Sequence, residues 1–155
     1  MARSSKLQMT FPSEVVHVDL VHTASDRISS IVGLDENDTL NLGLAVREAT
    51  INAIKHGNRF DPRKNVTVTF RYSDREVEVT IEDAGGGFDP DATPDPTLPE
   101  NLQRTDGRGF LLMRAFVDSV DVQPRKRGGS VVRLVKRIGK HPEPPGRPAP
   151  EQRAS

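Results

Sequence analysis

The sequence predicts a two-layer α/β sandwich, with a mixed, mostly antiparallel sheet covered on one face by helices. Three observations predict it. Apolar residues recur at helical spacing in two stretches before residue 58. The period switches to two between residues 65 and 82, and two more short strands follow between 118 and 137. The 155 residues leave room for one domain with a single core, which we expect over 7–138, between a loose N-terminus at 1–6 and a disordered tail at 139–155.

In chain order, LQMTF reads as a short strand stopped by Pro12, after which Ser13 can cap a helix. Val16, Leu20, Ala24, Ile28 and Ile31 recur along that helix at helical spacing, and Gly33 ends it. Asp35 or Asn37 can cap a second helix that runs to Gly57, with Asn58 and Pro62 marking the turn beyond. Val66, Val68, Phe70 and Tyr72, then Val77, Val79 and Ile81, alternate with polar residues around the turn Ser73-Asp74-Arg75, which describes an antiparallel hairpin with one apolar face. Residues 84–107 carry glycines and four prolines without a sustained period, a length of irregular chain that is usually functional or disordered. A short helix from Gly109 to about Val117 precedes two strands near 118–123 and 130–137, joined by the turn PRKRGG. The tail GKHPEPPGRPAPEQRAS holds five prolines and almost nothing apolar.

Composition removes several function classes. With 22 basic and 22 acidic residues the formal net charge is zero, which is not the footprint of a nucleic-acid binder. The absence of cysteine removes disulfides, thiolate metal sites and cysteine nucleophiles. His17, His22 and His141 form no constellation with carboxylates that would hold a transition metal. MARSSKLQMTF lacks the apolar core of a signal peptide and no apolar run approaches the ~20 residues of a membrane span, so a cytoplasmic location is expected.

The second helix poses the chemical question. In REATINAIKHGN, residues 47–58, polar groups sit among apolar rows. At about 100° per residue, Leu42, Val46, Ala49 and Ala53 fall on one side and Leu40, Leu44, Ile51 and Ile54 nearly opposite. Glu48 and Asn52 share the strip between, with Lys55 beside them and His56 at its edge. Such groups cost free energy unless they are paired or face a ligand. A Glu–Asn hydrogen-bonded couple on a solvated strip satisfies the same pattern. Two glycine stretches point toward a ligand: IEDAGGGFD, residues 81–89, ends a strand, and TDGRGF, residues 105–110, opens a helix. Glycines let a backbone approach a ligand closely, and amides at a helix start favour phosphate.

Taken in this order and spacing, the three stretches resemble the nucleotide boxes of the Bergerat-fold or GHKL ATPases, which include gyrase-type topoisomerases and histidine kinases. Glu48 and Asn52 match E-x-x-x-N, Asp83, Gly85 and Gly87 match D-x-G-x-G, and Gly107 and Gly109 match G-x-G. The likeness runs from about residue 8 to 138. Within the superfamily, REATINAIKHGN, GRGFLLMRAFVDSVDV and GGSVVRLVKR are most similar to the small bacterial anti-sigma factors that are also serine-protein kinases. Only about 35 residues precede the second helix, too few for the phosphoacceptor hairpin of a histidine kinase plus the domain's own first strand and helix.

The resemblance implies roles. Glu48 is the general base toward a partner's serine hydroxyl, and Asn52 supplies an oxygen to Mg²⁺, a hard cation that keeps several waters. Asp83 reads the exocyclic amine of adenine, where guanine presents an acceptor instead. Gly85 and Gly87 let the chain pass the base and ribose, amides around Gly107, Arg108, Gly109 and Phe110 hold the phosphates, and residues 89–106 form the lid. Lys55 faces phosphate or solvent, Arg104 and Arg108 are candidates to neutralise the γ-phosphate, and Ser130 stands where relatives often carry a threonine near the base. His56 is a helix-end structural residue on this reading, and RKRGG at 125–129 is a partner contact or a solvated hairpin tip. The implied cofactors are ATP and Mg²⁺. The implied activity is ATP-dependent phosphorylation of a serine or threonine on a small anti-anti-sigma protein of the STAS type, coupled to capture of a sigma factor by a homodimer. Two other classes stay open: a catalytically silent sequestering module, and an ATPase or histidine-kinase-type catalytic module acting on a separate chain.

Overall fold

The structure, a computed structural model, describes residues 4–85 and 111–139. Strand β1 (Ser5–Pro12) leads through a 3₁₀ turn at Val15–His17 into helix α1 (Val18–Val32), and α2 spans Glu36–Asn52. The hairpin β2 (Asn65–Tyr72) and β3 (Glu76–Asp83) follows, and after the helical residues 111–116 come β4 (Ser119–Pro124) and β5 (Ser130–Arg137). The sheet order is β1-β2-β3-β5-β4. Every pairing among these strands is antiparallel, so the expected predominance of antiparallel pairing is complete among the described residues. β1 takes in Ser5 and Lys6, which the sequence leaves in the loose N-terminus. The expected tail lies outside the described residues except for Gly139.

The hairpin pattern is realised as read. Val66, Val68 and Phe70 face the helices together with Val77, Val79 and Ile81, and all six are buried. The opposite face of the sheet is polar. Gln8 donates to Thr69, Thr10 meets Thr67, and Glu78 lies between Arg71 and Arg133.

Helix α1 departs from its expected orientation. Ile28 is buried and Ala24 half-buried against the core, whereas Val16, Leu20 and Ile31 are 72%, 58% and 70% exposed; the buried stripe is Val18, Val21, Ser25, Ile28 and Ser29. The helix carries two apolar stripes roughly a third of a turn apart, and two serines hide the inner one from a hydropathy reading. Small residues let α1 come close to its neighbour, and at Gly43 of α2 a Cβ would crowd the His22 ring and the Asp26 carboxylate. Ser13 does not cap the helix either. It is buried, and its hydroxyl donates to the Lys64 carbonyl. Gly33 closes α1 at φ 85°, as expected.

Asp35 caps α2, accepting from the Asp38 amide at 2.7 Å. Of the two apolar rows of α2, Leu42, Val46, Ala49 and Ala53 are buried. The opposite row is mixed: Ile54 is buried, Leu44 and Ile51 are half-buried and Leu40 is 54% exposed. α2 stops as an α-helix at Asn52 and continues as a π turn over Ala53–Gly57, which rests against β3. Single π turns inside helices are frequent at functional sites.

Candidate functional site

Asp83, the last residue of β3, is 4% exposed. Its Oδ1 accepts from the Gly85 amide and the Ser130 amide, each at 3.1 Å, and its Oδ2 accepts from the Ser130 hydroxyl at 2.8 Å. Burial pushes this carboxyl above the usual carboxylate range. The Ser130 hydroxyl, the Gly85 and Ser130 amides and the nearby Arg125 charge pull the other way. The register explains the contact, since β5 pairs with β3 and begins at Ser130 beside the strand's end.

Three glycines make the space. A Cβ at Gly57 would overlap the Asp83 carboxylate, one at Gly85 would overlap the Gly57 carbonyl, and Gly129, at φ 87°, lies where a Cβ would meet the Asp83 carbonyl. Only at Gly129 does the backbone itself also demand glycine. Arg125 donates to the Asp83 carbonyl at 2.7 Å and lies 3.6 Å from Glu82, so the hairpin tip is anchored at this residue rather than simply solvated. Lys126 and Arg127 of the same tip are exposed.

Glu48 and Asn52 are half-buried on the α2 strip, one turn apart. Asn52 Oδ1 is buried and has no hydrogen-bond partner among the described residues. A buried amide oxygen without a donor suits a hard cation, so the residues present fit Mg²⁺ held with a nucleotide. Asn52 and Glu48 lie five and nine residues before Gly57, the residue in contact with Asp83, and about 6 Å from each other along α2. That spread suits an elongated ligand with a base at one end and phosphates at the other.

The structure thus brings together Asp83, Gly85 and Ser130, and sets Glu48 and Asn52 on one strip whose far end touches Asp83. Lys55 and His56 are exposed. Gly87, Arg104, Gly107, Arg108, Gly109, Phe110 and the expected lid lie outside the described residues. The residues missed in the sequence are Gly57, Asn58, Arg125 and Gly129. Their signal was faint: a glycine just past the first box and a glycine pair just before Ser130. A shallow groove on the other face of the sheet, lined by Glu82, Gln123, Arg125, Val131 and Arg133, includes none of the predicted site residues.

A helix-covered antiparallel sheet with a buried aspartate at one strand end and an E-x-x-x-N helix beside it defines a nucleotide-binding domain of the Bergerat class. The sequence profile of the histidine kinase-like ATPase domain matches residues 11–136, and the chain belongs to that family. Its likeness is to the serine-protein kinase and anti-sigma factor members. It is 29% identical over 138 residues to the serine-protein kinase RsbW of Bacillus velezensis, covering 84% of each chain. It is 36% identical over 98 residues to the anti-sigma F factor of Oceanobacillus iheyensis, covering 61% of this chain and 66% of that one. Among solved structures, the RsbU and RsbW domains of Rv1364c from Mycobacterium tuberculosis superpose with a TM-score of 0.64 at 18% identity, over 88% of this chain and 33% of that one. A chain of the SiaB-SiaC complex from Pseudomonas aeruginosa gives 0.60 at 15% identity, over 83% and 88%. At these identities the two structures establish the fold alone.

Proposed function

We propose that this protein is an ATP-dependent serine/threonine-protein kinase and anti-sigma factor of a partner-switching pathway. In this reading it phosphorylates a small STAS-type anti-anti-sigma protein, sequesters a sigma factor, and works as a homodimer in the cytoplasm. The observation that carries it is the pinned Asp83 carboxylate beside the C-terminal end of a helix whose last turns present Glu48 and Asn52. The relatives' names and the match to the ATPase domain support it. No helix among the described residues is long and apolar enough to cross a membrane, which fits a partner that meets soluble regulators.

The chain's residues divide the work. Asp83 accepts from the exocyclic amine of adenine through Oδ2, which accepts from the Ser130 hydroxyl as well. Gly85 and Gly87 let the base and ribose lie close, and the amides from Gly107 to Phe110, with Arg108 and Lys55, meet the phosphates. Asn52, whose side-chain oxygen has no partner among the described residues, would hold Mg²⁺, which would neutralise charge on the triphosphate. Glu48 accepts the proton of the partner's hydroxyl as the hydroxyl oxygen bonds to the γ-phosphorus and the bond from that phosphorus to the bridging oxygen breaks, leaving ADP.

The test is incubation with γ-labelled ATP and a purified STAS-type antagonist protein. Wild type is expected to yield acid-stable phosphate on serine or threonine of the antagonist, and Glu48→Ala none. Acid-labile label would indicate phosphohistidine chemistry, and nucleotide binding without transfer would leave a sequestering module.

A further inference from the structure

The corner just past α2 holds more structure than a helix end requires. Asn58 is 1% exposed, and each of its side-chain polar atoms is engaged. Oδ1 accepts from the Ala84 amide at 2.8 Å, while Nδ2 donates to the Asn65 carbonyl at 3.0 Å and to Ser13 Oγ at 2.6 Å. A backbone donor on one side and a backbone acceptor on the other fix which way the amide points. Ser13 passes the chain on, donating to the Lys64 carbonyl at 2.6 Å. One side chain therefore joins the end of β1, the start of β2 and the residue directly after Asp83.

The backbone here is strained. Arg59 and Phe60 both adopt positive φ, 53° and 60°, and neither is glycine. Such conformations persist where the surroundings over-determine them. The surroundings are the Asn58 amide donating to the Ala53 carbonyl and the Phe60 amide donating to the Ile54 carbonyl, which close the π turn. The same turn puts Gly57 against the Asp83 carboxylate.

We propose that Asn58 is a positioning residue: by tying the end of the E-x-x-x-N helix to Ala84, it holds Asp83 at a fixed place relative to Asn52 and Glu48. This rests on the nucleotide reading above. Asn58 touches neither base nor phosphate, and it acts through the seat of Asp83.

A double-variant cycle on Mg·ATP affinity tests it, using wild type, Asn58→Asp, Asp83→Asn and the pair in the full-length protein. Asn58→Asp keeps an acceptor for the Ala84 amide but sets an oxygen against the Asn65 carbonyl. It is expected to weaken Mg·ATP about tenfold in the wild-type background and less than about threefold with Asp83→Asn. Equal losses in both backgrounds would make Asn58 a general structural residue and overturn the proposal. Gly57→Ala, which crowds Asp83 from the same corner, is expected to repeat that pattern, and serves if Asn58→Asp does not fold. In the ligand-free protein, amide exchange at Ala84 is expected to quicken at least about tenfold in Asn58→Ala, which removes the acceptor of that amide, with Val68 unchanged. Unchanged exchange at Ala84 would overturn the clamp without reference to nucleotide. Wild type that binds no Mg·ATP would bring down the nucleotide reading itself, and the role given to Asn58 with it.

Discussion

The end of β3 and the polar strip of α2 hold their buried oxygens in opposite ways. Asp83 accepts three hydrogen bonds from Gly85 and Ser130, whereas Asn52 Oδ1, equally withdrawn from solvent, has no partner among the described residues. An acceptor that the protein itself supplies is fixed before any ligand arrives. An acceptor left unsupplied costs free energy until a ligand completes it. On the proposed function, the contrast separates recognition, pre-organised at β3, from metal binding and chemistry, which would await the nucleotide on α2.

The largest expected effect lies on the α2 side. Glu48→Ala should lower phosphoryl transfer by about 10²–10⁴-fold, the usual loss on removing a general base, with ATP affinity within about twofold of wild type. Single-turnover transfer and calorimetry on one preparation would check this, and a parallel loss of affinity would blur the contrast. Next, Asn52→Ala should erase the magnesium dependence of ATP binding, a loss of about tenfold or more in magnesium buffer with metal-free ATP unaffected. Titrations with and without chelator read that directly. Smaller again, Ser130→Ala removes one of three hydrogen bonds to Asp83. It should weaken ATP by only about three- to tenfold, as one neutral donor is worth ~0.5–1.5 kcal/mol.

The smallest effect concerns pH. Because burial raises the Asp83 pKa in the folded protein, the folded state holds that proton more tightly than the unfolded chain does. Stability therefore falls as pH rises from the ordinary carboxylate range through the raised value. Asp83→Asn, without the charge, should melt at or above wild type at pH 7, and the gap should close as pH drops through that window. Melting curves of both proteins across pH 4–8 test the sign. ATP affinity of the wild type should weaken over the same descent, as the carboxylate that accepts from the base is protonated.

Much of this was legible in the sequence, for physical reasons that also explain the rest. The β2–β3 hairpin was readable because one apolar face imposes strict alternation from Val66 to Ile81. Asp83, Gly85 and the Glu48–Asn52 pair stand out in the sequence because their order and spacing resemble the family's nucleotide boxes, and the structure sets Asp83 against Gly85 and Ser130. The inner stripe of α1 was not, because Ser25 and Ser29 occupy core positions while Val16, Leu20 and Ile31 face outward. Hydropathy cannot tell which of two apolar stripes a helix will bury. Asn58 and Arg125 were read as a turn marker and part of a hairpin tip, since their partners, Ala84 and the Asp83 carbonyl, are 26 and 42 residues away. Local pattern carries no trace of such contacts.

The most direct test of the central claim is calorimetric titration of wild type and Asp83→Asn with Mg·ATP and Mg·GTP. The account predicts that wild type binds ATP in clear preference to GTP and that Asp83→Asn loses about 10- to 100-fold toward ATP, the worth of a hydrogen bond to a charged group. Wild type that binds both nucleotides alike, or an Asp83→Asn variant that binds ATP as wild type does, would contradict it.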